Sequence, residues 1–249
     1  MLRLFESPPW NQWKHLWRIR QNRIIFTISI GFIFFVLVGI PYHIANQINS
    51  YREWIAFDPM LNIDVITPYI PILNLGYFSF YLYYVLIPFF AREEIQRKLA
   101  IVFTQRLVVA TLPVFVLFIL FPVQVDMRDS IQGDDLLTTL LSLIHSIDEP
   151  YNAWPSLHIV HSLCVVLAVP LVFKISKLNH TLLWIAWLIL GYSTMTTQQH
   201  YLFDIITGII YALIIHFSLI KPVIKRTIQG EFDERFQSFQ ANNEDTISG

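Results

Sequence analysis

Six long apolar runs are the feature that most constrains how this chain can fold. Five of the runs carry no Asp, Glu, Lys or Arg, and the sixth carries only Asp204. Each run is close to the roughly 17–25 apolar residues that a helix needs to cross a hydrocarbon core. None shows the two-residue alternation of an outer-membrane strand. The sequence therefore predicts an all-α, polytopic membrane protein, a six-transmembrane-helix bundle with spans at residues 24–40, 68–90, 107–121, 156–173, 182–197 and 201–220.

The composition supports a membrane protein and excludes several functional classes. Charged residues make up only 14% of the chain, against about 25% in an ordinary soluble domain. The chain has a net charge of −1, whereas a protein that binds nucleic acid is expected to have a basic surface. Cys164 is the single cysteine, which excludes a disulfide framework and a cysteine-based zinc site.

The distribution of basic residues predicts the orientation of the spans. All 17 lysines and arginines except Arg52 and Arg128 fall on the side of the two termini. By the positive-inside rule, both termini are then cytoplasmic. Short tails and loops favour a bacterial inner membrane, although an organellar membrane stays open. The expected divisions are a cytoplasmic interfacial segment at 1–23, a membrane domain at 24–220 and a cytoplasmic polar tail at 221–249.

Two features of the predicted cytoplasmic segments can be interpreted further. Trp10, Trp13 and Trp17 lie at helical spacing beside basic residues, which indicates an aromatic anchor for the first span or an interfacial amphipathic helix. After Arg226 the chain becomes polar. We expect that tail to be solvated and partly disordered.

Polar residues that are distant in sequence fall at one membrane face in this topology. The third span exits near Arg128 and the fourth enters near His158, while the fifth exits before His200 and the sixth re-enters with Asp204. Two outer loops, 41–67 and 122–155, flank them. Since ionisable residues in or beside spans mark functional sites by default, these residues are the candidate site.

The residue types at this face suit phosphoryl transfer. His200 and Asp204 are four residues apart, so a helix places them on one face, where the carboxylate can orient the imidazole as a nucleophile. Ser156 follows a proline at an expected helix start, which favours an anion. His158 can act as a general acid and Arg128 can clamp a phosphate. The alternatives are a structural His–Asp pair, a simple N-cap at Ser156 and an ion-paired, solvated Arg128.

Two motifs carry a family resemblance. The Pro155-Ser156-Leu157-His158 segment and the Ser193…His200…Asp204 segment resemble the second and third motifs of the type-2 phosphatidic acid phosphatase superfamily, which is related to the vanadium haloperoxidases. With Tyr151 and Asn152, the form PYNxxPSLH resembles the branch of inositolphosphotransferase-like proteins and bacterial lipid phosphatases. The resemblance covers roughly residues 115–208.

The resemblance implies a site on the outer face and a role for each residue. His200 would be the nucleophile that forms a phosphohistidine, Asp204 would orient it and His158 would protonate the leaving group. Ser156 and Arg128 would hold the phosphate, and no metal or other cofactor would be required. Asn152 and Thr197 are further neutral donors for the phosphate. The chain departs from the family pattern at Phe121, Asp129, Thr194 and Gln198.

The sequence thus predicts a metal-independent phosphoric ester hydrolase that acts on a lipid phosphate or pyrophosphate among membrane lipids, with no nucleic-acid partner. One alternative is a lipid phosphotransferase, similar to inositolphosphoceramide synthase, that transfers a phospho-headgroup to an alcohol. Another is a non-catalytic membrane binding or transport protein with a decayed site. His161 is expected to pack or hydrogen-bond within the bundle.

Overall fold

The computed structural model describes residues 7–52, 56–128 and 131–241, and within these ranges the chain forms helices and no strand. Residues 1–6 of the predicted N-terminal segment, Asp129 and residues 242–249 of the predicted tail lie outside the described residues. The helices are α1 Lys14–Ile19, α2 Arg23–Ser50, α3 Asn62–Ile66, α4 Pro71–Phe90, α5 Glu94–Leu120, α6 Leu136–Ile147, α7 Leu157–Val172, α8 Lys177–Thr196, α9 Leu202–Ile228 and α10 Asp233–Ala241.

The expected all-α membrane architecture is confirmed in its general form. Among the described residues, four helices are long and apolar enough to cross a membrane, namely α2, α4, α5 and α9. Helix α7 is apolar but has 16 residues. Helix α8 has 20 residues, and polar residues at both of its ends lower its mean hydropathy. A count of six spans therefore remains a prediction.

Two long helices continue past the predicted span ends, and both do so through a proline. Helix α2 passes Pro41, and α9 passes Pro222. A proline ring normally clashes with the carbonyl of the preceding turn. In each helix a π-turn precedes the proline, at Phe35–Gly39 and at His216–Ile220. The wider turn accommodates the ring, so both helices extend beyond the predicted span ends at residues 40 and 220.

Helix α5 begins 13 residues before the third span was predicted to start, at Glu94 rather than at residue 107. Most of the first half of this helix is buried in the protein, and its Gln105 side chain binds the N-terminal segment. The Gln105 side-chain oxygen accepts hydrogen bonds from the Trp10 backbone N–H at 2.9 Å and from the Trp13 indole N–H at 2.6 Å. Trp13 and Trp17 are buried in the protein, so neither is the membrane anchor that the sequence suggested.

The expectation of a solvated tail after Arg226 is wrong for residues 227–241. Helix α10 packs against α1, with ring centroids of Trp17 and Phe236 4.6 Å apart. The Lys98 ammonium group lies 2.8 Å from an Asp233 carboxylate oxygen. Residues three and four apart share one helix face. The tail is polar in overall composition, but apolar residues at this spacing form a short stripe that packs against α1. Its buried members are Phe232, Phe236 and Phe239.

Helix α7 lies inside the bundle and brings the candidate residues together. It packs against α9, α4 and α8. Gly208 allows the close approach of α9, since a Cβ atom placed there would lie 3.1 Å from the Ser156 carbonyl oxygen. The first turns of α7 and α9 and the last turn of α8 therefore meet at one end of the bundle, which we call the site end.

The loops at the site end are tied to one another by backbone hydrogen bonds. The Phe57 N–H donates to the Pro122 carbonyl at 2.9 Å, and the Val125 N–H donates to the Pro150 carbonyl at 2.9 Å. These bonds fix the segment that leads into α7. Hydrogen bonds therefore link the first predicted outer loop to the second and link the two ends of the second loop beside the candidate site.

Candidate active site

Two histidines that are 42 residues apart in sequence meet at the site end. The Nδ1 atom of His158, in the first turn of α7, lies 2.9 Å from Nε2 of His200, in the turn between α8 and α9. The aromatic rings of Tyr77 and Phe80 pack on His158, with centroid distances of 5.0 and 4.4 Å. These two aromatic rings restrict the orientation of the His158 ring and cover one side of the His158–His200 contact.

Asp204 lies behind His200, as the four-residue spacing predicts. One of its carboxylate oxygens, Oδ2, is 3.6 Å from Nδ1 of His200 and accepts the Tyr201 backbone N–H at 2.9 Å. The other oxygen is buried and has no hydrogen-bond partner among the described residues. The 3.6 Å contact is too long for a hydrogen bond, but it sets the carboxylate beside the ring nitrogen that faces away from His158.

His200 is neutral in this environment. Its side chain is buried in the turn, and this burial is the main reason that its pKa is lowered to about 3. The Ala153 backbone raises the pKa, and the positive charge of Arg128 lowers it. A neutral imidazole keeps one ring nitrogen with a free electron pair. Such a nitrogen can act as a nucleophile or a base at ordinary pH.

Arg128 lies at the same place and is held by two acceptors of the protein. Its guanidinium donates to the Asp148 backbone carbonyl and, from Nη2, to the Gln199 side-chain oxygen at 3.1 Å. Its Nε is buried without a hydrogen-bond partner among the described residues. The guanidinium therefore has a fixed orientation and retains donor capacity beside the two histidines.

The other three predicted phosphate ligands have different surroundings. Asn152 is buried, with its amide donating to the Tyr42 carbonyl at 2.9 Å. Ser156 is the N-cap residue of α7, and its buried hydroxyl has no hydrogen-bond partner among the described residues. The Thr197 hydroxyl donates to the Ser193 carbonyl at 2.8 Å, within its own turn.

A recess of about 220 Å³, including open solvent at its mouth, lies between these groups. Four of the predicted site residues line it, whereas Asp204, Ser156 and Thr197 do not. The six other lining residues were not predicted as site residues. Pro150 and Ala153 lie within the PYNxxPSLH segment and Gln199 directly precedes His200, but sequence position alone does not show which residues reach the recess. The predicted residues in the lining are Arg128, Asn152, His158 and His200, and the others are Tyr42, Asp148, Glu149, Pro150, Ala153 and Gln199.

Asp148 and Tyr42 form a polar pair in the lining. The Tyr42 hydroxyl donates to the Asp148 carboxylate at 3.0 Å. Burial raises the pKa of Asp148, although the nearby Arg128 opposes this effect. Tyr42 reaches the recess because α2 continues past Pro41, which the predicted span end at residue 40 concealed.

His161 is used inside the bundle, as predicted. Its two ring nitrogens lie 2.9 Å from the Tyr84 hydroxyl and 2.9 Å from the Thr111 hydroxyl. No group of three or more His, Cys, Asp or Glu side chains in the described part of the chain could hold a metal ion. The candidate site itself brings together two histidines, a carboxylate and a guanidinium.

Comparison with protein families agrees with this set of residues. No curated protein and no solved structure matches the chain. A family model described as the PAP2 superfamily matches residues 54–218, about two thirds of the chain, and this range contains all seven predicted site residues. The PAP2 superfamily is that of the type-2 phosphatidic acid phosphatases, whose members are generally phosphoesterases. The extent of the match, together with the two motifs, shows that the chain belongs to the PAP2 superfamily.

Proposed function

We propose that the protein is an integral membrane phosphatase that hydrolyses a lipid phosphate or pyrophosphate through a phosphohistidine intermediate. The observation that carries the proposal is the convergence of His158, His200 and Arg128 on one recess, with Asp204 behind His200. Nucleophile, acid and phosphate clamp are the parts that phosphoryl transfer without a metal needs.

The proposed reaction has two steps. In the first, Nε2 of His200 attacks phosphorus, a P–N bond forms and the P–O bond to the leaving group breaks. His158 donates a proton to the leaving oxygen, and Arg128 balances the negative charge of the phosphoryl oxygens. In the second, water gives a proton to His158 and attacks phosphorus, a P–O bond forms and the P–N bond breaks, which releases inorganic phosphate and restores neutral His200 and the proton on His158.

The proposed setting is the outer face of a bacterial inner membrane. The bias of lysine and arginine supports a cytoplasmic location for both termini and an outer location for the site end. The long apolar helices beside the recess suit a substrate whose chains remain in the bilayer. Candidate substrates are phosphatidic acid, phosphatidylglycerol phosphate, polyprenyl pyrophosphate and sphingolipid phosphates.

The test is phosphate release by the purified protein across that lipid panel, with His200→Ala as the inactive variant. Thr196→Val is the matched control, because Thr196 is buried near the same turn and its hydroxyl donates to the Ser193 carbonyl. We expect activity in the wild type and the control and none in His200→Ala. Phosphate release by His200→Ala at the wild-type rate would contradict the mechanism. Acid-labile label on the wild type after reaction with ³²P-lipid would identify the intermediate.

A specific observation favours a second candidate, a lipid phosphotransferase. The recess is lined by one arginine, Arg128, together with two acidic residues, Asp148 and Glu149. Carboxylates bind hydroxyl groups of an alcohol better than they bind a second phosphate charge. With labelled lipid phosphate, release of inorganic phosphate indicates a hydrolase, and a new labelled lipid formed with an added alcohol indicates a transferase. Neither product, together with no label on His200, indicates a non-catalytic binding or transport protein.

A further inference from the structure

Gln199 occupies a position between the predicted nucleophile and the predicted phosphate clamp. Helix α8 ends in a tight turn, in which Gln198 adopts a φ of 54°. The backbone N–H groups of Gln199 and His200 both donate to the Thr194 carbonyl, at 3.1 and 3.2 Å. The same turn therefore fixes both residues, and the Gln199 side chain is buried at the recess.

The Gln199 amide makes a contact at each of its two ends. Its oxygen accepts from Nη2 of Arg128 at 3.1 Å, and its nitrogen contacts Nε2 of His145 on α6. An arginine can only donate hydrogen bonds. The amide oxygen must therefore face Arg128, which directs the amide N–H group toward His145.

His145 completes the arrangement as an acceptor. Burial, with a smaller contribution from the positive charge of Arg128, lowers the pKa of His145 to about 3. The ring is neutral, so Nε2 can accept the hydrogen that Gln199 donates. Donors and acceptors are thus matched along the whole path from Arg128 through Gln199 to His145.

We propose that Gln199, held by His145, is a positioning residue that sets the orientation of the Arg128 guanidinium for phosphate binding. This inference rests on the proposed function, in which Arg128 binds the phosphoryl oxygens. The Asp148 carbonyl holds one guanidinium nitrogen and Gln199 holds another. Two fixed points define the plane of the group and leave its remaining donors for a ligand in the recess.

The arrangement also couples the clamp to the nucleophile. Because Gln199 is adjacent to His200 in one hydrogen-bonded turn, a shift of the turn moves both groups together. Phosphoryl transfer requires the phosphorus atom to be in line with the attacking nitrogen. A clamp that is positioned from the same turn as the nucleophile keeps this alignment.

The test is a double-mutant cycle in the full-length protein, read out as kcat, KM and the affinity for inorganic phosphate. We expect Gln199→Leu to weaken phosphate binding and to lower kcat/KM about tenfold. In an Arg128→Ala background, the same substitution should change neither value, because the group that it positions is gone. An equal loss in both backgrounds would show that Gln199 only packs the turn, and it would overturn the proposal.

Variants of His145 test the contact between His145 and Gln199. They also keep the proposal testable if Gln199→Leu fails to fold. His145→Leu removes the acceptor, and we expect phosphate affinity to fall about threefold. His145→Gln restores an acceptor and should restore the affinity. Equal affinities for the leucine and glutamine variants would overturn the role of His145. Thr139→Val is the control, since Thr139 lies on α6 with its hydroxyl bonded to the Asp135 carbonyl.

The two proposals can fail separately. If the wild type binds inorganic phosphate but releases none from any lipid, the phosphatase proposal is overturned, and the phosphate affinities alone decide the role of Gln199. If the wild type also fails to bind phosphate, both proposals are overturned.

Discussion

Nδ1 of His158 and Nε2 of His200 share a hydrogen bond of 2.9 Å that links the start of α7 to the turn before α9. Nδ1 of His200 faces the Asp204 carboxylate, and a carboxylate favours the tautomer with its proton on that nitrogen. Nε2 of His200 is then the acceptor, and His158 is the donor. The bond holds the proposed acid directly beside the proposed nucleophile. A phosphate that approaches Nε2 of His200 has to displace this hydrogen bond.

Replacement of Asp204 by asparagine tests the orientation of His200. An amide offers an N–H group as well as an oxygen and can select the wrong tautomer of the ring. We therefore expect Asp204→Asn to lower kcat about 10²- to 10⁴-fold, with a much smaller change in KM, as for other carboxylates that orient a catalytic histidine. Steady-state kinetics on the best lipid substrate measures both constants. A loss confined to KM would show instead that Asp204 acts in substrate binding.

Asp64 supports the first turn of α9 from a distant part of the chain. It is buried, and its two oxygens accept from the Leu202 backbone N–H at 2.7 Å and from the Leu61 N–H at 2.8 Å. Removing both acceptors leaves buried donors unsatisfied. We expect Asp64→Ala to destabilise the protein by about 1–3 kcal/mol, and Asp64→Asn, which keeps one acceptor, to cost less. Unfolding in detergent compares the two variants, and equal stabilities for wild type and alanine variant would contradict the prediction.

The low pKa of His200 predicts that the protein becomes less stable in acid. Unfolded His200 binds a proton near the ordinary value of 6.5, while folded His200 binds one only near 3. Between these values the unfolded state binds more protons, so stability falls as pH falls. Between pH 7 and pH 5 this residue alone should account for a loss of about 2 kcal/mol.

The variant His200→Gln removes this titration. Melting temperatures of the wild type and the variant, measured in detergent from pH 7 to pH 5, should therefore converge as the pH is lowered. Parallel curves for the two proteins would show that His200 titrates at its ordinary value.

The contact between α1 and α10 should contribute to stability without contributing to chemistry. Phe236 is buried against Trp17 at the opposite end of the bundle from His200. Large-to-small substitution of a buried aromatic residue costs about 3–5 kcal/mol. We expect Phe236→Ala to lower the melting temperature while kcat per folded molecule stays within about twofold of the wild type. Ser238→Ala, at an exposed position of the same helix, is the control.

The apolar runs and two short motifs were sufficient to predict the helical membrane class, the family and the location of His158 and His200 at one face of the bundle. Sequence alone could do this because hydrophobic run length directly reflects membrane thickness. The four-residue spacing of His200 and Asp204 likewise keeps them close, although His200 precedes α9 and Asp204 lies in its first turn. Both signals are local, and they do not depend on what packs against them.

Only the tertiary structure decided where the helices end and which other groups reach the recess. The π-turns before Pro41 and Pro222 and the docking of Phe236 depend on contacts that no local pattern reports. Gln199 acquires its proposed role only because Arg128 and His145 come from other parts of the chain. Hydrogen bonds between distant residues depend on packing geometry. The sequence therefore determined the membrane class and the histidine pair, and packing determined how the surrounding polar groups are held.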